Sequence, residues 1–221
     1  MATQGFSSAK KEIILSEICQ VFKKTNAIEF GTFRLPSGKT TPYYIDLRVI
    51  PSFPDAFAKV IEIFVDTVKS EIGIESFDRV AGIPTAGLPL SPITAYILKK
   101  PFIYIRQKQK LKGRERRVEG VIMPGDRILL VDDMVTTGLS LTKSTLAVRA
   151  EGGLVTDAFV LLDREEGGER KLARIGVRLH AVLRVSEIAR KLYEMNVIEE
   201  DEMKIMVGQV KSKAKRRLSS D

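Results

Sequence analysis

Residues 128–141 read ILLVDDMVTTGLSL. The apolar run 128–131 has the unbroken hydrophobic character of a strand buried on both faces. Asp132 and Asp133 stand where that strand is expected to end. Met134 and Val135 follow, then Thr136, Thr137 and Gly138, and a helix is expected to begin near Leu139 and Ser140. This order of strand, paired acids, Thr-Thr-Gly and helix suits a phosphorylated sugar. Amides of a tight turn at a helix N-terminus point at an anion and cradle a phosphate. Gly138 permits close backbone approach and unusual dihedrals. Threonine hydroxyls add donors. Two adjacent carboxylates can accept hydrogen bonds from neighbouring ribose hydroxyls, directly or through a metal ion. The same residue types also make an ordinary turn and helix cap. The segment is not a P-loop, because no Gly-Lys-Ser/Thr follows four spacer residues.

Outward from this segment, strand and helix patterns alternate. Towards the N-terminus the periodicity predicts strands at 102–105 and 79–83, and helices at 87–98, 54–70 and 10–24. Pro89 and Pro92 are tolerable only near the start of their helix, and Pro54 fits the first turn of its own. Apolar and aromatic residues bracket Ser37-Gly38, a turn between two strands. Towards the C-terminus follow a helix over 138–150, a strand at 155–162, a weak helix near 168–175, a strand at 178–184, and helical stretches at 186–194 and 199–209. Strands alternating with helices imply parallel strands joined by right-handed crossovers. The expected class is therefore α/β, a Rossmann-like, mostly parallel sheet flanked by helices, with a small N-terminal helix–hairpin hood. Ligands of such sheets gather beyond the carboxyl ends of the strands. The expected division is a hood over 1–50, a core over 51–195, and a C-terminal helix with a basic, disordered tail over 196–221.

The 221 residues suit one domain with an added element. The net charge of +8 is concentrated: residues 106–117 (RQKQKLKGRERR) carry +6 and residues 211–217 (KSKAKRR) carry +5, leaving −3 on the rest. A nucleic-acid binder of globally basic character would spread its charge, so no nucleic-acid partner is expected. No apolar run approaches the roughly 20 residues of a membrane span. The first residues lack the apolar stretch of a secretory signal, and Cys19 is the only cysteine, so a cytoplasmic location is expected. Cys19 is expected to be buried filler and His180 a packed strand residue.

The 128–141 run resembles, almost position for position, the phosphoribosyl pyrophosphate signature of type I phosphoribosyltransferases. That resemblance implies their fold and a role for the basic segment between two strands. Lysines and arginines closing over departing pyrophosphate would stabilise its developing charge and keep water from the cationic sugar; Arg106, Lys108, Lys110 and Lys112 are the candidates. A solvated charged loop is the plainer alternative.

Across roughly residues 10–190 the similarity is greatest to orotate phosphoribosyltransferases. Three further segments carry it: FGTFRLPSGKTTPYYIDLR in the hairpin, VAGIPTAGLPLS at 80–91, and LLDREEGG at 161–168. The resemblance implies transfer of a phosphoribosyl group from phosphoribosyl pyrophosphate to orotate, giving orotidine 5′-monophosphate and pyrophosphate on the route to uridine nucleotides. It places Arg164 against the orotate carboxylate, where a planar guanidinium can bind bidentately, with Thr136 on the other side of the base and Tyr44 and Ile45 lining its pocket. Arg164 also fits an ordinary solvated turn. Thr85 and Ala86 fall in the pyrophosphate loop. Residues 132–140, with Arg106, Gln107, Lys108, Lys110 and Lys112, form the expected phosphoribosyl pyrophosphate site. Arg106, Lys110, Lys112, Asp132 and Asp133 are the expected catalytic set. A homodimer, with the lid of one subunit over its neighbour's site, and a magnesium ion (Mg2+) on pyrophosphate, at most touching Asp132 or Asp133, are likewise implied.

The chain departs from the family pattern at Pro36, where a lysine is common, at Thr85-Ala86, where an aromatic-lysine pair is frequent, at Gln107, and at Lys112, which replaces a histidine. A transferase for another base, or a non-catalytic regulator on the same fold, are the alternatives. Against the first stand the hairpin and Arg164, since a neutral purine offers no carboxylate. Against the second stands an N-terminus that reads as helix and hairpin rather than helix-turn-helix.

Overall fold

The computed structural model describes residues 8–34, 40–106 and 117–208, which fall into two compact units. The first unit, Ile61–Val182, is built on a six-stranded sheet. Its strands are β3 (Arg79–Gly82), β4 (Phe102–Ile105), β5 (Val118–Glu119), β6 (Ile128–Val135), β7 (Asp157–Asp163) and β8 (Arg178–Arg184), in the order β5-β4-β3-β6-β7-β8. The pairs β3–β4, β3–β6 and β6–β7 are parallel, and the short edge strand β5 is antiparallel to β4. Central strands covered on both faces must be apolar throughout. Accordingly Val80, Ala81, Leu130, Val131, Ala158, Phe159, Val160 and Leu162 are all completely buried. The helices of this unit include α3 (Ser91–Ile97), α4 (Leu139–Ala150) and α5 (Gly168–Ala173). Helix α2 (Pro54–Glu71) enters it with Phe64, whose ring meets Phe159 edge-on at 4.7 Å.

The second unit comprises 8–60 with 183–208. Helix α1 (Ser8–Thr25) buries Ile14, Ile18, Cys19, Val21 and Phe22 on one stripe, and the chain leaves it through Asn26 at φ 50°, a left-handed helix stop. Strands β1 (Ile28–Arg34) and β2 (Thr40–Ile45) pair antiparallel. A 3-10 turn at Leu47–Ser52 follows them. Helix α6 (Val185–Glu194) packs on α1, with Lys11 paired to Glu187 at 2.6 Å and Lys191 paired to Glu12. A last helix covers 200–208. Burial pushes the Cys19 thiol up to about 12, which makes it inert packing.

The alternating reading of strands and helices holds, and the mostly parallel sheet is as expected. Three local differences have physical causes. Strand β6 does not stop at Val131 but continues to Val135, because Met134 and Val135 find partners in Leu162 and Asp163 of β7. The paired acids therefore lie inside the strand. The helix expected from 87 begins only at Ser91, with Pro92 in its first turn. A proline disfavours helical dihedrals in the residue before it, so Pro89, acting on Leu88, delays it. Strand β5 has two residues and no readable periodicity; only pairing with Tyr104 and Ile105 creates it. The Ser37-Gly38 turn, Pro36, residues 107–116 and the tail after 208 lie outside the described residues. Among the described residues no helix is long and apolar enough to cross a membrane.

Candidate active site

In the first unit, the chain runs from β3 to its neighbour β4 on one side and then returns to place β6 on the other. That reversal makes the carboxyl ends of β3 and β6 a topological switch point, where open α/β sheets bind ligands. Among the described residues, three loops leave the sheet in this region: 83–90 after β3, 136–138 after β6, and 164–167 after β7. Backbone bonds tie the first and the third of them to β6. The Ile83 N–H donates to the Val131 carbonyl at 3.2 Å, and the Arg164 N–H donates to the Val135 carbonyl at 3.0 Å.

Glycines permit the closest approaches. A β-carbon on Gly87 would stand 2.8 Å from Asp132 Oδ1 and 2.8 Å from the Ile83 carbonyl oxygen. The loop that holds Thr85 and Ala86 is thus pressed directly against Asp132. A β-carbon on Gly168 would lie 2.5 Å from Val135 Cγ2 and 3.0 Å from the Thr136 carbonyl. Gly138 adopts φ 75°, a conformation that only glycine takes without strain, and its own missing side chain faces Gly168.

Beyond Gly138, α4 begins without any side-chain cap on its first amides. Uncapped amides at the start of a twelve-residue helix are donors looking for an acceptor, and the helix dipole favours an anion there. Asp132, Met134, Val135, Thr136, Thr137, Gly138, Leu139, Ser140 and Leu141 line an open depression of ≈ 60 Å³ at this point. That is well below clefts that enclose a whole ligand, which run roughly 300–1,000 Å³. It suits a phosphate with part of a sugar.

Asp132 and Asp133 are 7% and 8% exposed. Their carboxyl groups share a hydrogen bond, and Asp132 Oδ1 also accepts the Asp133 N–H at 3.0 Å. Burial first, and the Asp133 charge second, hold the Asp132 carboxyl well above the usual carboxylate range. A pair that resists its second negative charge is poised for ligands that relieve it, such as ribose hydroxyls or a cation.

Arg164 is buried, at 6% exposed, and its Nη2 contacts Glu166 Oε1 at 3.1 Å. This rules out the solvated surface arginine that its Arg-Glu-Glu-Gly-Gly context also allowed. Arg106 closes β4; its N–H donates to the Arg117 carbonyl at 2.7 Å, and its side chain pairs with Glu119 of β5. Gln107, Lys108, Lys110 and Lys112 lie outside the described residues. Tyr44 and Ile45 belong to the second unit. There Ile45 is buried, while the half-buried Tyr44 ring stacks on Phe33 at 5.6 Å and its hydroxyl accepts from Arg48 Nη2 at 2.9 Å.

The first unit therefore gathers Thr85, Ala86, residues 132–141 and Arg164 around these loops. Three contributors escaped the sequence reading: Gly87, Gly168 and Glu166. The two glycines were visible in Thr-Ala-Gly and Glu-Gly-Gly, but which atoms they spare depends on the partner loop. Among the described residues no three His, Cys, Asp or Glu side chains cluster as a metal cage. The oxygen donors of the Asp132–Asp133 pair fit a hard cation that keeps most of its shell on phosphate and water.

Comparison with known proteins agrees with this geometry. The phosphoribosyl transferase domain family matches residues 50–180. An orotate phosphoribosyltransferase of Cenarchaeum symbiosum (strain A) is 41% identical over 187 residues, 85% of this chain and 94% of that protein. The crystal structure of orotate phosphoribosyltransferase from Aeropyrum pernix superposes with a TM-score of 0.69 at 35% identity, covering 79% of this chain and 98% of that one. The UMP synthase of Leishmania donovani superposes with a TM-score of 0.79 at 27% identity, over 89% of this chain but only 42% of that longer one. Matched by the domain family over more than half its length, and by the Cenarchaeum and Aeropyrum proteins over nearly all of theirs, the chain belongs to the phosphoribosyltransferases and, among them, to the orotate phosphoribosyltransferases.

Proposed function

We propose that the chain transfers the phosphoribosyl group of phosphoribosyl pyrophosphate to orotate, forming orotidine 5′-monophosphate and pyrophosphate. The observation that carries this reading is the buried Asp132–Asp133 pair followed, within one loop, by the uncapped start of α4 at the switch point of the sheet. Family membership supports it independently.

In this reading the amides of 137–140, with the Thr136, Thr137 and Ser140 hydroxyls, bind the 5-phosphate. Asp132 and Asp133 accept the ribose hydroxyls. Thr85, Ala86 and Arg106 meet pyrophosphate, joined by Gln107, Lys108, Lys110 and Lys112 of the intervening segment. Arg164 pairs with the orotate carboxylate, and Thr136 contacts the ring. Tyr44 and Ile45 are assigned to the base on the hairpin's resemblance alone. The orotate ring nitrogen attacks the anomeric carbon and gives up its N–H proton, which is taken up by the departing pyrophosphate or by water. The bond from that carbon to the pyrophosphate oxygen breaks, and its electron pair leaves with pyrophosphate. Little covalent help is needed from the protein, so positioning and charge stabilisation dominate. Magnesium, held by phosphate oxygens with Asp132 or Asp133 beside it, would supply countercharge to the leaving group.

A homodimer, a cytoplasmic location, and the division at 1–50, 51–195 and 196–221 complete the proposal. The dimer rests on the family resemblance, and the location on a lone, buried cysteine.

The test is a base screen with magnesium and phosphoribosyl pyrophosphate. Consumption of orotate, with adenine, hypoxanthine and uracil left untouched, is expected. Preference for another base would redirect the reading, and tight nucleic-acid binding without turnover would replace it with a regulator.

A further inference from the structure

Arg164 is a charge taken almost wholly out of water. Its side chain is 7% exposed, and that of Glu166, its partner at 3.1 Å, is 12% exposed. A guanidinium so buried requires an anionic neighbour, and the local backbone is shaped to deliver one. Asp163 Oδ1 accepts the Glu165 N–H at 2.8 Å. Glu165 then takes φ 55°, which turns the chain so that residue 166 comes back onto residue 164, and Gly167 at φ 90° directs it on into α5. The turn is tied to the site itself at both ends. Arg164 donates through its N–H to the Val135 carbonyl, and Gly168 abuts the Thr136 carbonyl.

We propose that Glu166 is a positioning residue for the base: it holds the Arg164 guanidinium through Nη2 and so sets the plane in which that ion meets the orotate carboxylate. The inference rests on the assignment of Arg164 to orotate. A guanidinium carries five N–H donors in one rigid plane, so a carboxylate on Nη2 is compatible with a second on another edge. A long arginine side chain that must be ordered at the moment of binding weakens binding; one already held does not. Glu166 therefore acts on orotate affinity rather than on the sugar or on the chemical step.

Steady-state kinetics of the full chain, with each substrate varied at saturating levels of the other, test this. Glu166→Ala is expected to raise KM for orotate about tenfold while leaving kcat and KM for phosphoribosyl pyrophosphate within about twofold. Glu166→Gln keeps an acceptor oxygen in place and is expected to bring KM for orotate back to within about threefold of the parent. An orotate KM that is unchanged or lowered in Glu166→Ala overturns the proposal, as does a loss spread over kcat and both KM values. Should Glu166→Ala fail to fold, Glu166→Asp decides, because it keeps the charge but withdraws it by one methylene. A raised orotate KM alone supports the proposal, and an unaltered one overturns it. Arg164→Ala separates the two layers. If it leaves KM for orotate unchanged, the underlying assignment falls and this inference with it. If it is defective while the Glu166 variants are normal, only the role of Glu166 falls.

Discussion

The two ends of the sheet treat their carboxylates in opposite ways. At the amino ends of the strands, Asp157 of β7 is hydrogen bonded to His180 at 2.8 Å and to Thr156 at 2.9 Å, with Arg178 nearby. Burial alone would push its carboxyl up; the His180 and Thr156 hydrogen bonds together outweigh it and hold Asp157 below its ordinary 3.8. Burial likewise pulls at His180, and its bonds to Asp157 and Glu71 outweigh that, lifting it above 6.5. Nearby, Asp78 pairs with Arg127 and Asp126 with Arg79. At the carboxyl end, Asp132 is raised by its own burial and by another acid. One end is matched for stability. The other sets two buried acids side by side where a ligand is proposed to bind, and buried groups with perturbed ionisation concentrate at such sites.

Substitutions can break or sharpen this contrast. The largest effect is expected at the carboxyl end. Asp132→Asn or Asp133→Asn should lower kcat/KM by about a hundredfold or more, if positioned charge does the work assigned to it. Asp132→Asn should also raise Tm. A carboxyl whose folded value is raised contributes stability below the unfolded value of 3.8 and loses it as pH climbs through the folded one. The gain should therefore be clear at pH 7–8 and small near pH 4. Unfolding scans at both pH values, beside activity, check it; a lowered Tm at neutral pH would erase the contrast.

Gly87→Ala comes next, because its new methyl clashes with both Asp132 and the Ile83 carbonyl. Stability should fall by about 1–3 kcal/mol, as for other overpacked sites, and activity should fall with it. Denaturant titration and turnover, measured together, test whether the loop and the acid move as one.

His180→Asn acts at the matched end and should lower stability by about 1–2 kcal/mol near pH 6 without altering kcat. The raised His180 contributes fully below 6.5 and loses its contribution as pH rises through its folded value, while the lowered Asp157 contributes above 3.8 and loses it as pH falls. The defect should therefore shrink towards pH 9, and equal defects at pH 6 and pH 9 would contradict the charged pairing. The smallest effect is expected for Asp78→Asn, whose partner Arg127 is exposed; solvent screens such a pair, so activity and Tm should both stay near the parent values.

The sequence by itself determined the order of strands and helices, the position of the paired acids and the Thr-Thr-Gly turn, and the chemistry they suit. Those features are local: hydrophobic period, turn residues and helix starts are written within a few neighbouring positions. Only the tertiary structure decided that β6 runs on past its acids, that Gly87 touches Asp132, and that Arg164 is buried against Glu166 rather than solvated. Each of these depends on the register of parallel strands, which brings together loops separated by tens of residues, and no local pattern encodes which atoms then meet.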